Sequence, residues 1–390
     1  MSPPERALHP VTAPSGPAIL DTFLPALAAA LAGAGPALLP LPSGGTRAAV
    51  LEALRPDRPL ESGDVALVVP TSGSTGEPKG VLLTAAALRA AAHATHSRLS
   101  GPGQWLLALP VTHVGGIQVL VRSLLARVRP VVLDLYGGFD TAAFTAAAET
   151  MAADAPRYVS LVPTQVRRLL DCGADLTGFD AVLVGAAALP AAMRQQCLER
   201  GWRLVEAYGM TETCGGVVYD GVPLDGVDVS VTDDGRVVIG GPTVFRGYRL
   251  RPDLTSAALV DGRHLTQDLG RFDEQGCLRL LGRIDDVVVT GGVTVAASHV
   301  ERVLGEHPSV AACAVVGVAD ADWGERVVAV VQPASWRSPP TLGQLRDFAA
   351  GRLDRAELPR ELVTVGMLPV LDSGKPDKEA VRSLVAARAS

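Results

Sequence analysis

Short apolar runs alternate with helical patterns between about residues 65 and 281, and this alternation most constrains the fold. Each run has the length of a buried strand, and the segments between most of the runs have helical periodicity. Strands that are joined through helices pair in parallel within a layered α/β domain. The predicted strands are residues 65–69, 105–109, 131–135, 158–162, 181–184 and 203–205. We therefore expect a large N-terminal α/β domain built on mainly parallel sheets.

The pattern changes after Tyr208, where short strands follow one another with glycine turns between them. Residues 227–231, 236–239 and 277–281 fit this pattern and predict a small barrel-like subregion. The last hundred residues alternate again, with strands predicted at 311–318 and 327–331 and a helix at 342–353. We expect a small, mobile α+β C-terminal domain, so that the predicted domains are residues 1–283 and 284–390.

Residues 22–42 carry no charge and are rich in leucine and alanine, which raises the question of a membrane span. Its interior is interrupted by Pro25, Pro36, Pro40, Gly33 and Gly35, and Asp21 rather than a basic cluster precedes it. Such interruptions are not typical of a continuous spanning helix or of a signal peptide. We expect a short buried helix followed by a loop, and no membrane insertion.

Charge and cysteine content limit the partners and the compartment. The formal net charge of -6 gives no general attraction to nucleic acid, so any anion binding must be local. The five cysteines are odd in number and form no CxxC pair, which disfavours a disulfide framework and a structural zinc site. We expect a cytoplasmic protein that binds a small charged ligand. A homodimer is left open.

The segment from Thr71 to Gly80 concentrates hydroxyls, glycines and a lysine after an apolar run, as a phosphate-binding loop does. It is not a Walker A loop, because Lys79 does not directly follow the second glycine of such a motif. It resembles instead the phosphate-binding loop of the adenylate-forming enzymes, the superfamily of acyl-CoA synthetases, luciferases and adenylation domains. The predicted phosphate-binding residues are Thr71, Ser72, Gly73, Ser74, Thr75, Gly76 and Lys79.

Further segments resemble motifs of the same superfamily and occur in the order that it requires. They are Tyr208-Gly209-Met210-Thr211-Glu212-Thr213, Thr266-Gln267-Asp268-Leu269-Gly270, Gly282-Arg283-Ile284-Asp285 and Ser373-Gly374-Lys375. The resemblance implies ATP, Mg²⁺ and coenzyme A as ligands, with Glu212 holding the metal ion and Asp268 the ribose hydroxyls. It also implies that Lys375 and Thr211 are catalytic and that Asp285 is a hinge.

The remaining nucleotide and thiol contacts are carried over from the same resemblance. Tyr208 and Gly209 lie at the adenine in such enzymes, together with the segment matching Gly185-Ala186-Ala187. Arg283 belongs to the hinge motif and is a predicted nucleotide contact. The loop with Gly291 and Gly292 is expected to line the channel for the thiol, although residues 293–298 depart from the family pattern.

The segment Leu109-Pro110-Val111-Thr112-His113-Val114-Gly115-Gly116 resembles the acyl-pocket motif, which makes His113 a predicted catalytic and acid-binding residue. Gly209 and Thr213 are further predicted acid contacts. Arg122 follows on an amphipathic helix, either as a helix-face arginine or as a clamp for a second carboxylate. Residues 106–125 and 214–226 together resemble the o-succinylbenzoate–CoA ligases of menaquinone biosynthesis, particularly the short actinobacterial type.

The resemblance therefore implies an ATP-dependent acid–CoA ligase that forms an acyl-adenylate and releases AMP and pyrophosphate. Its acid would be o-succinylbenzoate, which carries two carboxylates. Three alternatives remain open: another aryl- or acyl-CoA ligase, an adenylation domain that loads a carrier protein, and a nucleotide sensor without catalysis. Lys378 is interpreted as a solvated charge on a helix face.

Overall fold

The protein is described by a computed structural model, in which residues 6–42, 46–72, 78–369 and 376–389 are described. The chain forms two compact units. The first comprises Met1–Leu189, Met193–Ser230 and Val238–Thr266, and the second comprises Pro190–Ala192, Val231–Val237 and Gln267–Ser390. The second unit includes residues 267–283, because the strand Leu278–Arg283 pairs with residues 268–272. The domain boundary predicted after Arg283 stays a prediction.

The structure confirms the mixed α/β class predicted from the sequence, with helices and strands throughout the described residues. The helices are α1 (Ala18–Asp21), α2 (Phe23–Leu31), α3 (Thr46–Leu54), α4 (Ala85–Arg98), α5 (Val114–Ala126), α6 (Thr141–Glu149), α7 (Pro163–Asp171), α8 (Ala191–Glu199), α9 (Pro252–Ala258), α10 (Ala297–Gly305), α11 (Leu342–Ala349) and α12 (Lys378–Ala389).

The strands are short in most of the chain and longest in the second unit. They are β1 (Leu8–Thr12), β2 (Ala37–Leu41), β3 (Val65–Ser72), β4 (Pro78–Thr84), β5 (Gln104–Leu107), β6 (Val131–Val132), β7 (Arg157–Leu161), β8 (Ala181–Val184), β9 (Leu204–Met210), β10 (Gly215–Tyr219), β11 (Val222–Pro223), β12 (Asp228–Val231), β13 (Arg236–Gly240), β14 (Gly247–Tyr248), β15 (Leu259–Val260), β16 (Arg263–Phe272), β17 (Leu278–Arg283), β18 (Val287–Thr290), β19 (Val293–Ala296), β20 (Val310–Asp320), β21 (Gly324–Pro333) and β22 (Glu361–Thr364).

The larger sheet of the first unit has the order β11-β10-β9-β8-β7-β5-β6. Its central strands pair in parallel from β9 to β6, as the alternation of strands and helices predicts. The helices cover both faces, because these strands are apolar on both sides and form two separate cores. The carboxyl ends of the parallel strands share one edge of the sheet, where ligands of such folds bind.

The other sheet of the first unit has the order β1-β2-β3-β4-β14. The strand predicted at residues 65–69 is confirmed as β3, but β4 returns antiparallel to it before α4 begins. Thr84 stands before an alanine-rich stretch, a pattern that predicts an N-cap, and its Oγ1 accepts a hydrogen bond of 3.0 Å from the backbone N–H of Ala87, the third residue of α4. The antiparallel pair β3–β4 therefore carries the predicted phosphate loop between its strands.

The uncharged segment at residues 22–42 contains one confirmed and one wrong prediction. The short buried helix is confirmed as α2. The loop expected after it is wrong for Ala37–Leu41, which forms the fully buried strand β2. This strand pairs in parallel with β1 and β3, so neighbouring strands bury its apolar side chains and satisfy its backbone despite Pro40. No helix in the described ranges is long and apolar enough to cross a bilayer.

The second unit has its own sheet, in the order β19-β18-β21-β20 with β22 beside β21. Helices α10 and α11 pack into one apolar core and α12 into another. The predicted helix at 342–353 begins as expected, with Thr341 and Gln344 forming a reciprocal capping box. It ends at Ala349, because Ala350 leaves the helical conformation. The unit is thus a separate α+β structure with cores of its own.

Candidate active site

Part of the predicted phosphate loop and the predicted catalytic lysine lie outside the described residues. Gly73, Ser74, Thr75 and Gly76 lie outside them, and so does Lys375. Thr71 and Lys79 lie opposite each other where β3 and β4 pair, and Ser72 ends β3. The Oγ1 of Thr71 donates to the carbonyl oxygen of Lys79 at 3.4 Å. Both ends of the loop are thus fixed by one antiparallel pair of strands.

Glu212 lies in a 3-10 turn, Thr211–Thr213, which follows the carboxyl end of β9. Its carbonyl oxygen accepts a hydrogen bond of 2.8 Å from the backbone N–H of Phe245. Its carboxylate Oε1 accepts a hydrogen bond of 2.8 Å from the hydroxyl of Tyr248. Burial, and secondly the charge of Glu212, raise the pKa of Tyr248, so this hydroxyl stays protonated and remains a donor. The carboxylate is therefore held in one orientation.

Lys79 lies beside the same tyrosine. Its Nζ is 5.9 Å from the centroid of the Tyr248 ring, within the range of a cation–π contact. The strand β14 makes this possible, because it pairs antiparallel with β4 and places Tyr248 opposite Val81. A lysine, a tyrosine hydroxyl and a carboxylate thus come together from three distant chain segments. Tyr248 was not predicted as a site residue.

Arg249, the next residue, fixes the position of this strand. Its side chain has no solvent exposure, and its backbone N–H donates to the carbonyl oxygen of Gly80 at 2.8 Å. The guanidinium donates to one carboxylate and to carbonyl oxygens of the chain after α3. These acceptors belong to Leu54, Arg55, Arg58, Pro59 and Glu61. All N–H donors of the guanidinium are used in these hydrogen bonds, which anchor β14 next to the phosphate loop.

The backbone near the end of β9 approaches the start of β10 very closely. A Cβ atom on Gly209 would lie 2.0 Å from the carbonyl oxygen of Gly215, so only glycine fits there. Thr213 is completely buried, and its Oγ1 accepts from the backbone N–H of Met210 at 2.9 Å. The same hydroxyl lies 2.8 Å from the carbonyl oxygen of Gly215. Thr213 therefore shapes this turn, and its predicted contact with the acid stays a prediction.

The segment Gly185-Ala186-Ala187 follows β8 at the same edge of the sheet. Ala186 has a φ of +68°, a left-handed conformation that is uncommon for alanine. A Cβ on Gly185 would lie 2.9 Å from the carbonyl oxygen of Ala207, the residue before Tyr208. Because β8 and β9 are parallel neighbours, the two predicted adenine segments lie side by side. The structure thus brings together residues 185–187 and 208–209.

His113 and Arg122 lie at different places along α5. His113 is the exposed N-cap residue of the helix, and desolvation by the surrounding protein lowers the pKa of its imidazole. Arg122 lies nine residues further on, about 14 Å along the axis at 1.5 Å per residue. The two side chains therefore cannot contact the same carboxylate.

The Arg122 side chain is buried, with only 4% of its surface exposed. Its Nη2 lies 3.5 Å from the hydroxyl of Tyr219, and its Cζ lies 4.7 Å from the centroid of the Trp105 ring. Burial lowers the pKa of this guanidinium. No carboxylate of the described residues forms an ion pair with it, and its Nε has no hydrogen-bond partner there. A buried cation in this state favours an anionic partner.

The second unit contains the predicted ribose, hinge and thiol-channel residues. Asp268 and Arg283 are register partners on β16 and β17, with 3.5 Å between Arg283 Nη1 and Asp268 Oδ1. Arg283 also donates through two nitrogens to Asp285, at 2.8 Å each, and this contact lowers the pKa of Asp285. Gly291 and Gly292 form the turn between β18 and β19, both with positive φ. Only residues with this freedom suit such a turn.

The interpretation of Lys378 as a solvated charge is wrong. Its Nζ contacts the carboxylates of Asp286 and Glu301 and the carbonyl oxygen of Val315. The side chain is only 20% exposed. The error has a physical cause, since helical periodicity shows that Lys378 begins a helix but not that two carboxylates lie against its first turn.

The metal prediction depends on Glu212. The described residues contain no group of three or more histidine, cysteine or acidic side chains that could hold an ion by themselves. Mg²⁺ nevertheless suits this site, because it is commonly held by one or two carboxylates with phosphate and water oxygens completing its shell. The second carboxylate oxygen of Glu212, the one not given a hydrogen bond by Tyr248, provides such a hard ligand.

Comparison with known proteins gives consistent similarities. A family model described as AMP-binding enzyme matches residues 27–249, and one described as AMP-binding enzyme C-terminal domain matches residues 299–375. The chain is 45% identical over 381 residues to a protein of Mycobacterium tuberculosis named probable 2-succinylbenzoate–CoA ligase, covering 96% of this chain and 97% of the relative. It is 34% identical over 350 residues to indoleacetate–CoA ligase of Aromatoleum aromaticum, covering 82% and 67%.

A solved structure of o-succinylbenzoate coenzyme A synthetase from Bacillus subtilis, in complex with ATP and magnesium ion, matches this fold with a TM-score of 0.69. The sequence identity is 26%, and the match covers 81% of this chain and 69% of that one.

Proposed function

Because the chain belongs to the AMP-binding enzyme family, we propose that it is an ATP-dependent acid–CoA ligase that forms an acyl-adenylate. The acid is o-succinylbenzoate, and the products are o-succinylbenzoyl-CoA, AMP and pyrophosphate, a step of menaquinone biosynthesis. The observation that carries the proposal is the cluster of Lys79, Glu212 and Tyr248 beside the predicted phosphate loop. The relative at 45% identity supports the choice of acid.

Lys79, which lies beside the Tyr248 ring, and Glu212, which accepts from its hydroxyl, bind the triphosphate. The ammonium of Lys79 offsets phosphate charge, and the hydroxyls and N–H groups of the predicted loop are the donors that we assign to the β- and γ-phosphates. Glu212, with phosphate oxygens, would hold Mg²⁺, and the bound ion would supply positive charge against the charge that develops during transfer. Thr211 lies beside Glu212 and orients the phosphates. We assign the adenine ring to segments 185–187 and 208–209, which lie side by side because β8 and β9 are parallel neighbours.

The chemical step is attack of the acid carboxylate on the α-phosphorus, which breaks the bond to pyrophosphate. Both reactants are anionic, so positioning and electrostatic stabilisation dominate the catalysis. Lys375 supplies a compact ammonium to the α-phosphate and carboxylate oxygens. Asp268 accepts hydrogen bonds from the ribose hydroxyls, and Arg283 holds Asp268 and Asp285 in place.

A second half-reaction converts the adenylate into the thioester. We assign Asp285 as the hinge of a rotation that withdraws Lys375 and brings the turn at Gly291 and Gly292 to the thiol channel. His113 is the N-cap residue of α5, and we assign it to the reacting carboxylate of the acid. The thiolate sulfur attacks the acyl carbon, and AMP leaves with the oxygen that joined it to the acid.

Arg122 is the residue that we assign to the second carboxylate of the acid. It is a buried residue of the helix that follows His113, and it has no carboxylate partner among the described residues. In o-succinylbenzoate one carboxylate is on the ring and the other ends the succinyl side chain at the neighbouring ring position, so Arg122 would hold the ring carboxylate while the succinyl carboxylate reacts. Gly209, near the end of β9, and Thr213, in the turn that follows, are the further contacts that we assign to the acid.

A panel of acids tests the proposal. ATP-dependent formation of CoA thioesters is measured with o-succinylbenzoate, indoleacetate, benzoate, salicylate and fatty acids. A clear preference for o-succinylbenzoate is expected, and preference for a monocarboxylate would reject the assignment of the acid. The 34% identity to an indoleacetate–CoA ligase makes another aryl-CoA ligase the main alternative. Activity with a pantetheine-bearing carrier protein but not with free coenzyme A would identify a carrier-loading domain instead.

Two further assignments accompany the function. We place the reaction in the cytoplasm, where acid, ATP and coenzyme A are available as small-molecule substrates. Light scattering would determine whether the protein is the homodimer that we propose as its oligomeric state. ATP–pyrophosphate exchange by the native protein, lost in Lys375→Ala, would exclude a sensor without catalysis.

A further inference from the structure

Two N–H groups buried in the first unit have no acceptor among the described residues. Trp105, on β5, has no solvent exposure, and Arg122, on α5, is 4% exposed. The unpaired atoms are Nε1 of Trp105 and Nε of Arg122. Almost all buried donors in folded proteins are paired, because an unpaired donor has lost its water without compensation. These two exceptions therefore indicate an acceptor other than the described residues.

The two side chains lie against each other. The guanidinium Cζ of Arg122 is 4.7 Å from the centroid of the Trp105 ring, a cation–π distance. Nε1 belongs to the same indole and lies within about 7 Å of Cζ, a separation that one carboxylate can bridge, because each of its two oxygens takes a donor at about 2.9 Å. The two unpaired donors are thus close enough to share one ligand.

Tyr219 is a further polar group beside Arg122, and it acts as an acceptor. The Oγ1 of Thr95 donates to a carbonyl oxygen of its own helix at 3.0 Å, and it lies 3.0 Å from the hydroxyl of Tyr219. A hydroxyl has one hydrogen, so Tyr219 donates to Thr95 and presents a lone pair to Arg122 Nη2, which is 3.5 Å away. This hydroxyl thus helps to orient the guanidinium but does not donate to a ligand.

The charge of Arg122 decides which kind of acceptor fits. No carboxylate of the described residues forms an ion pair with this guanidinium. A neutral acceptor, such as a water molecule or a carbonyl group, would pair the N–H groups but leave the buried charge uncompensated, which is costly. A carboxylate accepts from both donors and also compensates the charge. The arrangement therefore suits a carboxylate.

We infer that the indole N–H of Trp105 is the second donor to the carboxylate that Arg122 binds, and that it selects acids with two carboxylates. The inference rests on the proposed function, which assigns the ring carboxylate of o-succinylbenzoate to Arg122. With an acid that lacks this carboxylate, both N–H groups stay buried and unpaired. Sites built around such hydrogen bonds discriminate strongly against an analogue that lacks the bonding group. Trp105 is thus a specificity-determining residue for the acid.

The first test compares two acids in thioester formation by the full-length protein. 4-Oxo-4-phenylbutanoate keeps the succinyl side chain of o-succinylbenzoate and lacks its ring carboxylate. Trp105→Phe keeps an aromatic ring beside Arg122 and removes the indole N–H. The variant is expected to raise KM for o-succinylbenzoate about tenfold, and to change kcat for this acid and KM for the monocarboxylate by less than about twofold. The ratio of the two kcat/KM values therefore falls about tenfold.

Tyr158→Phe is the matched control for this comparison. The Tyr158 ring packs on the same indole, with 5.0 Å between the ring centroids, and its hydroxyl donates to the carbonyl oxygen of Gly101 at 3.0 Å. The substitution removes one donor next to Trp105 and leaves the indole N–H in place. It is expected to leave the selectivity between the two acids unchanged. Disturbed packing around Trp105, by contrast, would affect both acids alike.

The second test observes the N–H group itself in the native protein. The chain has four tryptophans, so a nitrogen-15 spectrum of their indole groups contains few signals. The signal of Trp105 is the one lost in Trp105→Phe. If that variant does not fold, phenylalanine variants of Trp202, Trp323 and Trp336 assign the signal by exclusion. Saturating o-succinylbenzoate is expected to move its proton downfield, because a carboxylate accepts from it, whereas 4-oxo-4-phenylbutanoate is not.

Unchanged selectivity in folded Trp105→Phe, or an equal loss with both acids, would overturn the inference. An indole signal that does not move with o-succinylbenzoate, or that moves equally with the monocarboxylate, would overturn it as well. Native protein that uses both acids equally well would instead reject the acid assigned under the proposed function.

Discussion

The hydrogen bond from Tyr248 to Glu212 is the contact whose loss is most informative. Tyr248→Phe removes one oxygen and keeps the ring, which lies 5.9 Å from Lys79 Nζ and packs edge-on against Phe245 at 4.9 Å. The Glu212 carboxylate then loses a donor 2.8 Å away. A hydrogen bond to a charged group contributes about 1.5–3 kcal/mol. Glu212 is partly exposed, so a water molecule can replace part of the lost hydrogen bond, and we use the lower end of this energy range.

A cost of about 1.4 kcal/mol is a factor of ten in an equilibrium constant. We expect the dissociation constant for ATP with Mg²⁺ to rise about tenfold in Tyr248→Phe, measured by calorimetry with a non-hydrolysable ATP analogue. Binding of the analogue without Mg²⁺ is expected to change less, because the variant acts on the metal-binding carboxylate. The raised pKa of Tyr248 keeps the hydroxyl protonated, so the ratio between variant and native protein is expected to stay constant up to about pH 9.

Tyr158→Phe is the matched control, because the hydroxyl of Tyr158 also donates to an oxygen, the carbonyl of Gly101 at 3.0 Å, away from the predicted phosphate loop. It is expected to leave nucleotide binding unchanged. Equal affinity for the Mg²⁺-bound analogue in Tyr248→Phe and native protein would refute the assignment of Glu212 and its orientation by Tyr248.

Three further predictions follow from buried groups. Arg122→Met is expected to raise KM for o-succinylbenzoate at least tenfold without lowering the melting temperature. The reason is that it removes a buried charge that forms no ion pair with a carboxylate of the described residues. A lower melting temperature with an unchanged KM would contradict this prediction. Gly209→Ala is expected to destabilise the fold by about 2–4 kcal/mol in urea unfolding, because its Cβ would lie 2.0 Å from the carbonyl oxygen of Gly215. Gly343→Ala on α11 is the control, because no atom lies within 4 Å of its Cβ position, and it should be neutral or stabilising. Burial, and secondly the nearby cation Arg122, lower the pKa of His96 from 6.5 to about 4. The neutral imidazole therefore stabilises the fold above pH 6.5, and this stability is lost as the pH falls towards 4. A His96→Gln variant should show a flatter dependence of the unfolding free energy on pH over this interval.

Local patterns predicted the parallel strands and the cap of α4 correctly. An apolar run of strand length between helical segments has few other structures available, and Thr84 before an alanine-rich stretch fits an N-cap. The strand Ala37–Leu41 was missed, because Pro40 and the preceding glycines are typical of a loop. Its strand partners come from elsewhere in the chain, which a local pattern does not contain.

The candidate site follows the same division. The motif segments around Glu212 and Asp268 were recognisable from their own residues, whereas their side-chain partners were not. Tyr248 is 36 positions from Glu212, and Lys378 is 77 positions from Glu301. Arg249 reaches the carbonyl oxygens after α3 across about 190 positions. A glycine-tyrosine pair in an otherwise unremarkable stretch gave no signal that could have identified these contacts.

The path of one oxygen atom tests the central claim, that a carboxylate of the acid attacks the α-phosphorus of ATP. The protein is incubated with ATP, Mg²⁺, coenzyme A and o-succinylbenzoate whose carboxylates carry oxygen-18, and the AMP is analysed by mass spectrometry. Attack at the α-phosphorus leaves one labelled oxygen in each AMP, while pyrophosphate remains unlabelled. Unlabelled AMP, or label in released phosphate with ADP as the other product, would contradict the acyl-adenylate route.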